Sequence, residues 1–153
     1  MKDFIEIIKT RKSVRSFSDK KVSEEDINKI LECGDSAPSA NGVYPREIKH
    51  YQDREILKML SQTQSWSSFV AEASVCFVVL GYPHRSKYWV EDCSAVAQNI
   101  LLAVHALGLG ACWVAVRNMK NEGEPASEYV KKILSLPDDS EVLCLIPVGY
   151  SKK

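Results

Sequence analysis

The 153-residue sequence predicts a three-layer sandwich of the α/β or α+β class, in which helices cover both faces of a central sheet. Segments with helical periodicity interleave with short strand-like segments along the chain. Several of the strand-like segments are continuous apolar runs, which are typical of strands buried on both faces, and one alternates weakly. These patterns predict the layers, but they do not by themselves order the strands.

Two helices and a loop are predicted in the first third of the chain. Residues 4–8 place apolar side chains near helical spacing, so a first helix should run up to a short turn at residues 11–17 (RKSVRSF). Ser23 precedes three acids and an apolar stripe, which predicts a capped second helix that Gly34 ends or loosens. Residues 36–45 (SAPSANGVYP) are rich in Pro, Ser, Gly and Asn and predict an ordered loop.

The middle of the chain is predicted to hold two strands and the longest helix. Residues 46–51 predict a short edge strand, after which Asp53 caps a third, short helix, and residues 74–80 (SVCFVVL) predict a fully buried strand. Apolar residues cover most of the circumference of the helix predicted at 90–107, so it must be central to the core or to a subunit interface. Its polar residues fall on and beside one stripe: Glu91, Gln98 and His105, with Asp92 and Asn99 next to them.

The last third is predicted to add two buried strands, at residues 111–116 and 142–148. A helix around residues 129–134 should lie between them, with Pro125 in or just before its first turn. The GLG sequence at 108–110 follows a helix and precedes a strand, whereas a phosphate-binding glycine loop follows a strand and opens a helix. These glycines are therefore predicted to end the long helix through a left-handed residue.

Length and composition restrict the class of protein. A chain of this length is about one domain, so residues 1–153 are expected to form a single domain. Basic and acidic residues number 20 each, so no net charge favours a nucleic acid or a membrane as partner. The N-terminus lacks the pattern of a secretory signal, which predicts a cytoplasmic protein. The five cysteines are scattered and never spaced as CxxC, which disfavours disulfides and a metal site and predicts mostly reduced core residues.

Residues 11–17 carry the strongest candidate for a binding site. Arg11, Lys12, Ser13 and Arg15 supply three cations and a hydroxyl, the groups that bind a phosphate monoester. A charge-assisted hydrogen bond contributes about 1.5–3 kcal/mol, compared with about 0–1 kcal/mol for a solvated surface ion pair. A phosphate site and a solvated basic turn are two open interpretations of the same residues.

No catalytic constellation accompanies this cluster. His50, His84 and His105 share no motif, and each is expected to be structural or solvent-facing. The sequence motifs of zinc proteases, serine hydrolases and calcium-binding loops do not occur. If the protein is an enzyme, a cofactor is expected to carry the chemistry.

Four segments occur in an order that resembles the nitroreductase family of FMN-dependent oxidoreductases. They are RKSVRSF, APSANGVYP, DCSAVAQNILLAVHALGLGACWV and LIPVGYS, and the resemblance extends over nearly the whole chain. The first is similar to the family's R-[RK]-S-x-R-x-F element, and the third to its D-x-x-x-A-x-Q-N and GLG-x-x-W elements. The resemblance implies an α+β fold, a three-layer α-β-α sandwich with a mixed, largely antiparallel central sheet flanked by helices.

The resemblance also implies which residues hold the cofactor. Four residues of the first segment would bind the phosphate and ribityl chain of FMN: Arg11, Lys12, Ser13 and Arg15. Four residues of the loop would approach the same flavin from the partner subunit of a homodimer: Pro38, Ser39, Ala40 and Asn41. Three residues would place backbone groups near flavin N5: Val114, Ala115 and Val116. Family members also bring a basic residue to the phosphate after the VGY element, a role that falls here to Lys152 or Lys153.

The implied activity is that of a ping-pong oxidoreductase without a catalytic side chain. NADH or NADPH would deliver hydride to flavin N5 and leave, and an oxidised acceptor such as a nitroaromatic or a quinone would then use the same site. Dehalogenation, flavin fragmentation, enoate reduction, and flavin binding or sensing without turnover are open alternatives. The loop lacks the Gln of the family pattern P-S-x-x-N-x-Q-P-W, Tyr44 precedes its proline and Arg46 replaces the Trp, so the substrate is left open.

Overall fold

The computed structural model describes residues 3–152 and places five α-helices and seven β-strands in that range. The helices are α1 (Phe4–Thr10), α2 (Glu24–Asp35), α3 (Arg54–Leu60), α4 (Trp89–Ala106) and α5 (Ala126–Leu134). The strands are β1 (Arg46–Tyr51), β2 (Val75–Gly81), β3 (Gly110–Ala111), β4 (Val114–Ala115), β5 (Lys120–Asn121), β6 (Glu124–Pro125) and β7 (Glu141–Gly149). Two short 3₁₀ helices, Ala40–Gly42 and Ser68–Glu72, lie in loops.

A five-stranded sheet forms the centre of the fold. Its order is β1-β2-β7-β3, and β4 pairs with β7 beside β3. All of these strand pairs are antiparallel, whereas an isolated bridge between Ser13 and Ala111 is parallel. β1 lies at the sheet edge, as its weak alternation predicted. The fold is therefore α+β with a mixed, largely antiparallel sheet.

Alternate residues of β2 divide the core into two layers. Odd-numbered residues from Val75 to Val79 pack with α2 and α4 on one face of the sheet. Even-numbered residues from Cys76 to Leu80 pack with α3 and α5 on the other face. Every residue of β2 is buried, as the apolar run predicted. Burying one large apolar side chain stabilises the fold by about 1.5–3 kcal/mol, so the two clusters hold helices on both faces of the sheet.

Three of the predicted signals at helix ends are confirmed. The Ser23 hydroxyl accepts a hydrogen bond from Asp26 N–H (3.1 Å), and Asp53 Oδ1 accepts one from Ile56 N–H (3.0 Å). Gly108 has a φ of +77° just after α4. Only glycine adopts this left-handed conformation without steric cost, so it ends the helix there.

Residues 111–116 form two short strands, where one was predicted. Val116 N–H donates to Leu143 O, so odd-numbered residues of β7 direct their backbone groups toward β3 and β4. Pro147 is one of these residues and falls opposite the break at Cys112, where the ladder needs an N–H that proline lacks. The interruption therefore has its physical cause on the neighbouring strand.

Gly34 has a packing role beyond the one predicted. It lies in the last turn of α2, which ends one residue later at Asp35. A Cβ at this position would come within 2.7 Å of Ile48 Cδ1, so the missing side chain lets α2 pack closely on β1. The hairpin of β5 and β6 was not predicted, because strands of two residues leave no periodic signal.

The cysteines are free, and four of the five are buried, with Cys33 exposed. Burial raises the pKa of the Cys76 and Cys93 thiols to about 12, so both stay protonated near neutral pH. Cys112 is buried as well, and its thiol donates to the Trp113 carbonyl (3.7 Å). Across residues 3–152, no helix is both long enough and apolar enough to cross a membrane.

Candidate functional site

The basic segment 11–17 is extended, so the prediction of a turn there is wrong. Val14 N–H donates to Ala111 O (2.8 Å), and an antiparallel bridge joins Phe17 to Ser151. The segment therefore lies across the ends of β3 and β7. Phe17 is 1% exposed and Val14 is half-buried, and an exposed turn could not bury these two apolar side chains.

Arg11 and Lys12 line a pocket of about 480 Å³ between this segment and the C-terminal end of α4. The remaining walls come from the last turns of α4, the connection from Gly108 to β3, and Ser151. Among the described residues, Ser13 and Arg15 are neighbours of the pocket in sequence but do not line it. The pocket is concave and carries two positive side chains, which suits an anionic group such as a phosphate.

His105 forms part of the same pocket wall. Its Nε2 lies 2.9 Å from Thr10 Oγ1, which joins the last turns of α4 to the end of α1. This contact between two helices is a structural role, as was expected of the histidines, and His105 also lines the pocket. Thr10 and His105 are 95 residues apart, so no local pattern brings the histidine next to Arg11.

One buried carboxylate fixes the loop at residues 36–45. Asp92, in the first turn of α4 and 4% exposed, accepts hydrogen bonds from the Ser39 hydroxyl (2.5 Å) and from Ala40 N–H (3.1 Å). The Ser39 oxygen in turn accepts from Tyr44 N–H (2.8 Å). The sequence placed Asp92 beside the polar stripe of the helix, and the structure buries it against the loop.

The two departures from the family loop pattern contact each other. Arg46 Nη2 donates to Asp35 O (3.0 Å) and Ala37 O (2.8 Å) at the end of α2. The Arg46 guanidinium also lies 4.9 Å from the centre of the Tyr44 ring. A cation at the carboxyl end of a helix is favourable, so Arg46 holds the base of the loop against α2.

Within one chain, the loop and the pocket lie at opposite ends of α4. The loop is bound at Asp92, and the pocket wall contains His105. These two residues stand roughly 20 Å apart along the helix axis, given a rise of about 1.5 Å per residue. Of the predicted site residues, Pro38, Ser39, Ala40 and Asn41 are therefore not brought together with Arg11 and Lys12 by a single chain.

The outer edge of β4 carries peptide groups that β7 does not use. Because Val116 N–H donates to Leu143 O, the alternation of the ladder directs the N–H and C=O of Ala115 away from β7. The Ala115 carbonyl accepts from Gln64 Nε2 (3.2 Å), and Gln64 is itself buried. Val114 and Val116 bury their side chains in the layer under α3 and α5 and direct their backbone groups toward β7, so within residues 114–116 the outward peptide groups are those of Ala115.

Lys152 is the last of the predicted site residues in the described range. Its Nζ lies 3.3 Å from Glu72 Oε2, and the two side chains are 54% and 47% exposed. Its side chain does not line the pocket, among the residues that the structure describes. Lys153 lies outside the described residues.

Comparisons with known proteins cover most of the chain. The model of the nitroreductase family matches residues 8–65 and 59–150. A protein of Archaeoglobus fulgidus with the provisional name NADH dehydrogenase/NAD(P)H nitroreductase is 36% identical over 156 residues, which covers 99% of this chain and 87% of the relative.

Solved structures are similar over the same range. An FMN-dependent nitroreductase from Clostridium difficile R20291 has a TM-score of 0.94 at 34% identity and covers 97% of this chain and 88% of its own. A provisionally named nitroreductase from Desulfovibrio desulfuricans, solved in complex with FMN, has a TM-score of 0.84 at 25% identity and covers 100% and 88%. The family match, the identity of these relatives and their shared fold show that the chain belongs to the nitroreductase family.

Proposed function

We propose that this protein is an FMN-dependent oxidoreductase that moves hydride from NADH or NADPH to a small oxidised acceptor. The observation that carries the proposal is the pocket at the end of α4 with Arg11 and Lys12 on its wall. Family membership supports it, because the Clostridium difficile relative is FMN-dependent by name and the Desulfovibrio desulfuricans relative was solved with FMN.

The pocket residues fit the phosphate end of FMN. A phosphate monoester carries a charge of about −1.5 to −2 and three acceptor oxygens. Arg11 and Lys12 supply opposite charge and donors, and Ser13 and Arg15 would act from the rim of the pocket. Lys152 would join them by leaving its exposed ion pair, which is worth only about 0–1 kcal/mol at a solvated surface.

The edge formed by β3 and β4 is proposed to receive the flavin ring. Both strands pair with β7 in one register, so this edge leads from the pocket at Ala111 to the peptide groups of Ala115 that point away from β7. Val114 and Val116 hold the edge in place through their buried side chains. FMN, when bound, supplies the hydride acceptance and release, so no side chain of the chain is assigned a catalytic role.

A homodimer is proposed to complete the site. Because the loop stands at the other end of α4, residues 38–41 would reach a flavin in the pocket from a second chain. α1 exposes Phe4 (63%), Ile5 (55%) and Ile8 (44%), and an apolar groove of about 310 Å³ runs between α1, α2 and α4. Contiguous exposed apolar surface of this kind marks an interaction site, and a twofold axis would build two equal flavin sites.

The acceptor class and the setting follow from the same proposal. The acceptor is proposed to be a nitroaromatic or quinone-like molecule, and residues 1–153 are proposed to act as one FMN-binding domain. The free cysteines are those of a protein in a reducing compartment, which supports a cytoplasmic location.

Flavin titrations of an Arg11 variant test the proposal. Arg11→Ala is expected to raise the Kd for FMN about 10–100-fold, because it removes a charge-assisted hydrogen bond. The Kd for riboflavin, which has no phosphate, should change by less than about threefold. Lys58→Ala removes an exposed cation of α3 and should leave both constants unchanged. Quenching of flavin fluorescence measures both constants.

Two results would contradict the proposal. Equal losses of FMN and riboflavin affinity in Arg11→Ala would show that Arg11 does not bind the phosphate. Wild-type protein that binds neither flavin would show that the protein does not use FMN. Anaerobic bleaching of bound flavin by NADH or NADPH, followed by reoxidation with a quinone, is expected of the enzyme. A binding module without turnover would show no bleaching.

A further inference from the structure

Asp92 is buried, yet it has no place among the proposed flavin contacts. Both of its oxygens are committed to the loop at residues 36–45. Oδ2 accepts from the Ser39 hydroxyl at 2.5 Å and Oδ1 accepts from Ala40 N–H at 3.1 Å. At 4% exposure, the carboxylate has little access to water. A buried carboxylate needs such partners, so the loop and the first turn of α4 stabilise each other.

The Ser39 hydroxyl has no second proton to donate. Its one proton goes to Asp92, and its oxygen accepts from Tyr44 N–H at 2.8 Å. A hydroxyl has a single donor, so Ser39 cannot also donate to a flavin without breaking the bond to the carboxylate. The role of Ser39 is thus to connect the carboxylate to the far side of the loop.

The loop has a conformation that an unanchored chain would leave. Asn41, Gly42 and Tyr44 have φ values of +57°, +63° and +53°. The left-handed region is unfavourable for side chains larger than glycine, so the loop must be held by contacts elsewhere. The contacts from Asp92 to Ser39 and Ala40 lie on the loop's inner side, while Asn41 is exposed at its tip.

We propose that Asp92 is a positioning residue for the flavin site. Its carboxylate acts through Ser39 and Ala40 to hold the loop in the shape that presents Pro38 and Asn41 to the flavin of the second chain. Ser39 serves the site through this shape and not as a direct donor to the flavin. The inference rests on the proposed function, because the loop has a flavin to contact only if the chain binds FMN.

Three variants and a control test the proposal. Asp92→Asn keeps the size of the side chain and removes its charge, and Ser39→Ala removes the hydroxyl. Each is expected to raise the Kd for FMN about tenfold, and the double variant is expected to exceed the larger single effect by less than about threefold, because both act through one network. Ser127→Ala removes another buried hydroxyl, on α5, which accepts from Val142 N–H (3.0 Å). It should lower the Tm without changing the Kd for FMN.

Hydrogen exchange of the flavin-free protein gives a second readout. The backbone amides of Ala40 and Tyr44 should exchange at least about tenfold faster in Asp92→Asn and in Ser39→Ala than in the wild type. Each substitution breaks the network of hydrogen bonds in which Asp92 and Ser39 accept from these two amides. In Ser127→Ala they should exchange at the wild-type rate. If Asp92→Asn does not fold, Ser39→Ala decides the question by the same measurement.

The outcomes separate this inference from the proposed function. Fully multiplicative effects of Asp92→Asn and Ser39→Ala on the Kd would overturn the inference, because Ser39 would then contact the flavin on its own. Wild-type exchange rates in the loop of either variant would overturn it as well. Both results leave FMN binding by the wild type intact, whereas wild-type protein that binds no FMN defeats the proposed function itself.

Discussion

Two glycines let the basic segment 11–17 lie against the end of the sheet. A Cβ on Gly110 would come within 2.7 Å of Val14 Cβ, and a Cβ on Gly149 would come within 3.0 Å of Phe17 Cδ1. The first distance is shorter than packed carbon atoms tolerate, so any side chain at Gly110 must displace the backbone that carries Arg11 and Lys12. The position of Arg11 and Lys12 therefore depends on the lack of a side chain at Gly110.

Gly110→Ala is expected to weaken both the fold and the site. Overpacking of this kind costs about 1–3 kcal/mol, which corresponds to a Tm lower by roughly 2–10 °C for a chain of this size. The Kd for FMN should rise several-fold, because Val14 and the two cations move together. Differential scanning calorimetry and flavin titration measure the two effects.

A matched control separates strain from displacement. Gly123 lies in the turn between β5 and β6 with a φ of +86°, and a Cβ there would meet no atom within 4 Å. Gly123→Ala should lower the Tm through backbone strain alone and leave FMN affinity as in the wild type. Unchanged FMN affinity in Gly110→Ala would show that the close contact with Val14 does not position the pocket.

Among the elements, α1 and α2 begin differently. Ser23 accepts a hydrogen bond from Asp26 N–H at the start of α2, whereas Asp3 stands at the start of α1 without a side-chain bond to the helix. Ser23→Ala should lower the free energy of unfolding by about 1 kcal/mol, and Asp3→Ala should lower it by only a few tenths of that. Urea denaturation measures both values. Equal losses would mean that the cap geometry does not determine the stability of these helix ends.

Elements with local signals were predictable from the sequence. The caps of α2 and α3, the periodicity of α4 and the apolar run of β2 each depend on residues within a few positions of one another. The break between β3 and β4 depends on Pro147 of a strand that is distant in sequence, so it could be found only after the strands were paired. The extended conformation of segment 11–17 also depends on residues distant in sequence. Val14 packs against Gly110 of β3, and Phe17 packs against Gly149 of β7.

The residues of the candidate site likewise divide into those that the sequence could predict and those that it could not. Arg11 and Lys12 were predictable because cations cluster visibly in the sequence. Asp92 could not be identified as a contact of the loop, because its partner Ser39 lies 53 residues away in the sequence. Gln64 and Ala115, which are 51 residues apart, show the same limit. A sequence pattern predicts what a segment can bind, and tertiary contact decides which other residues share that task.

At the scale of the whole molecule, α1 leaves most of its apolar surface exposed to solvent. It is seven residues long and buries only Ile7, while Phe4, Ile5 and Ile8 face outward. Helices of this length are not stable alone and depend on packing of their apolar surface. The proposed homodimer would supply that packing, since Phe4 lines the groove between α1, α2 and α4, and Ile5 and Ile8 are exposed on the same helix.

The double variant Ile5→Glu and Ile8→Glu is expected to separate the subunits of the proposed homodimer and to weaken FMN binding at the same time. Carboxylates in an apolar interface lose their hydration without gaining partners, so the dimer should dissociate at micromolar concentration. The pocket would keep Arg11 and Lys12 but lose the partner's loop. Sedimentation velocity and flavin titration on the same samples measure the two effects. Met59→Glu, an exposed apolar position on α3 in the other helical layer, should change neither. A monomeric variant with wild-type FMN affinity would show that one chain binds the flavin alone, which would separate the oligomeric state of this protein from its function.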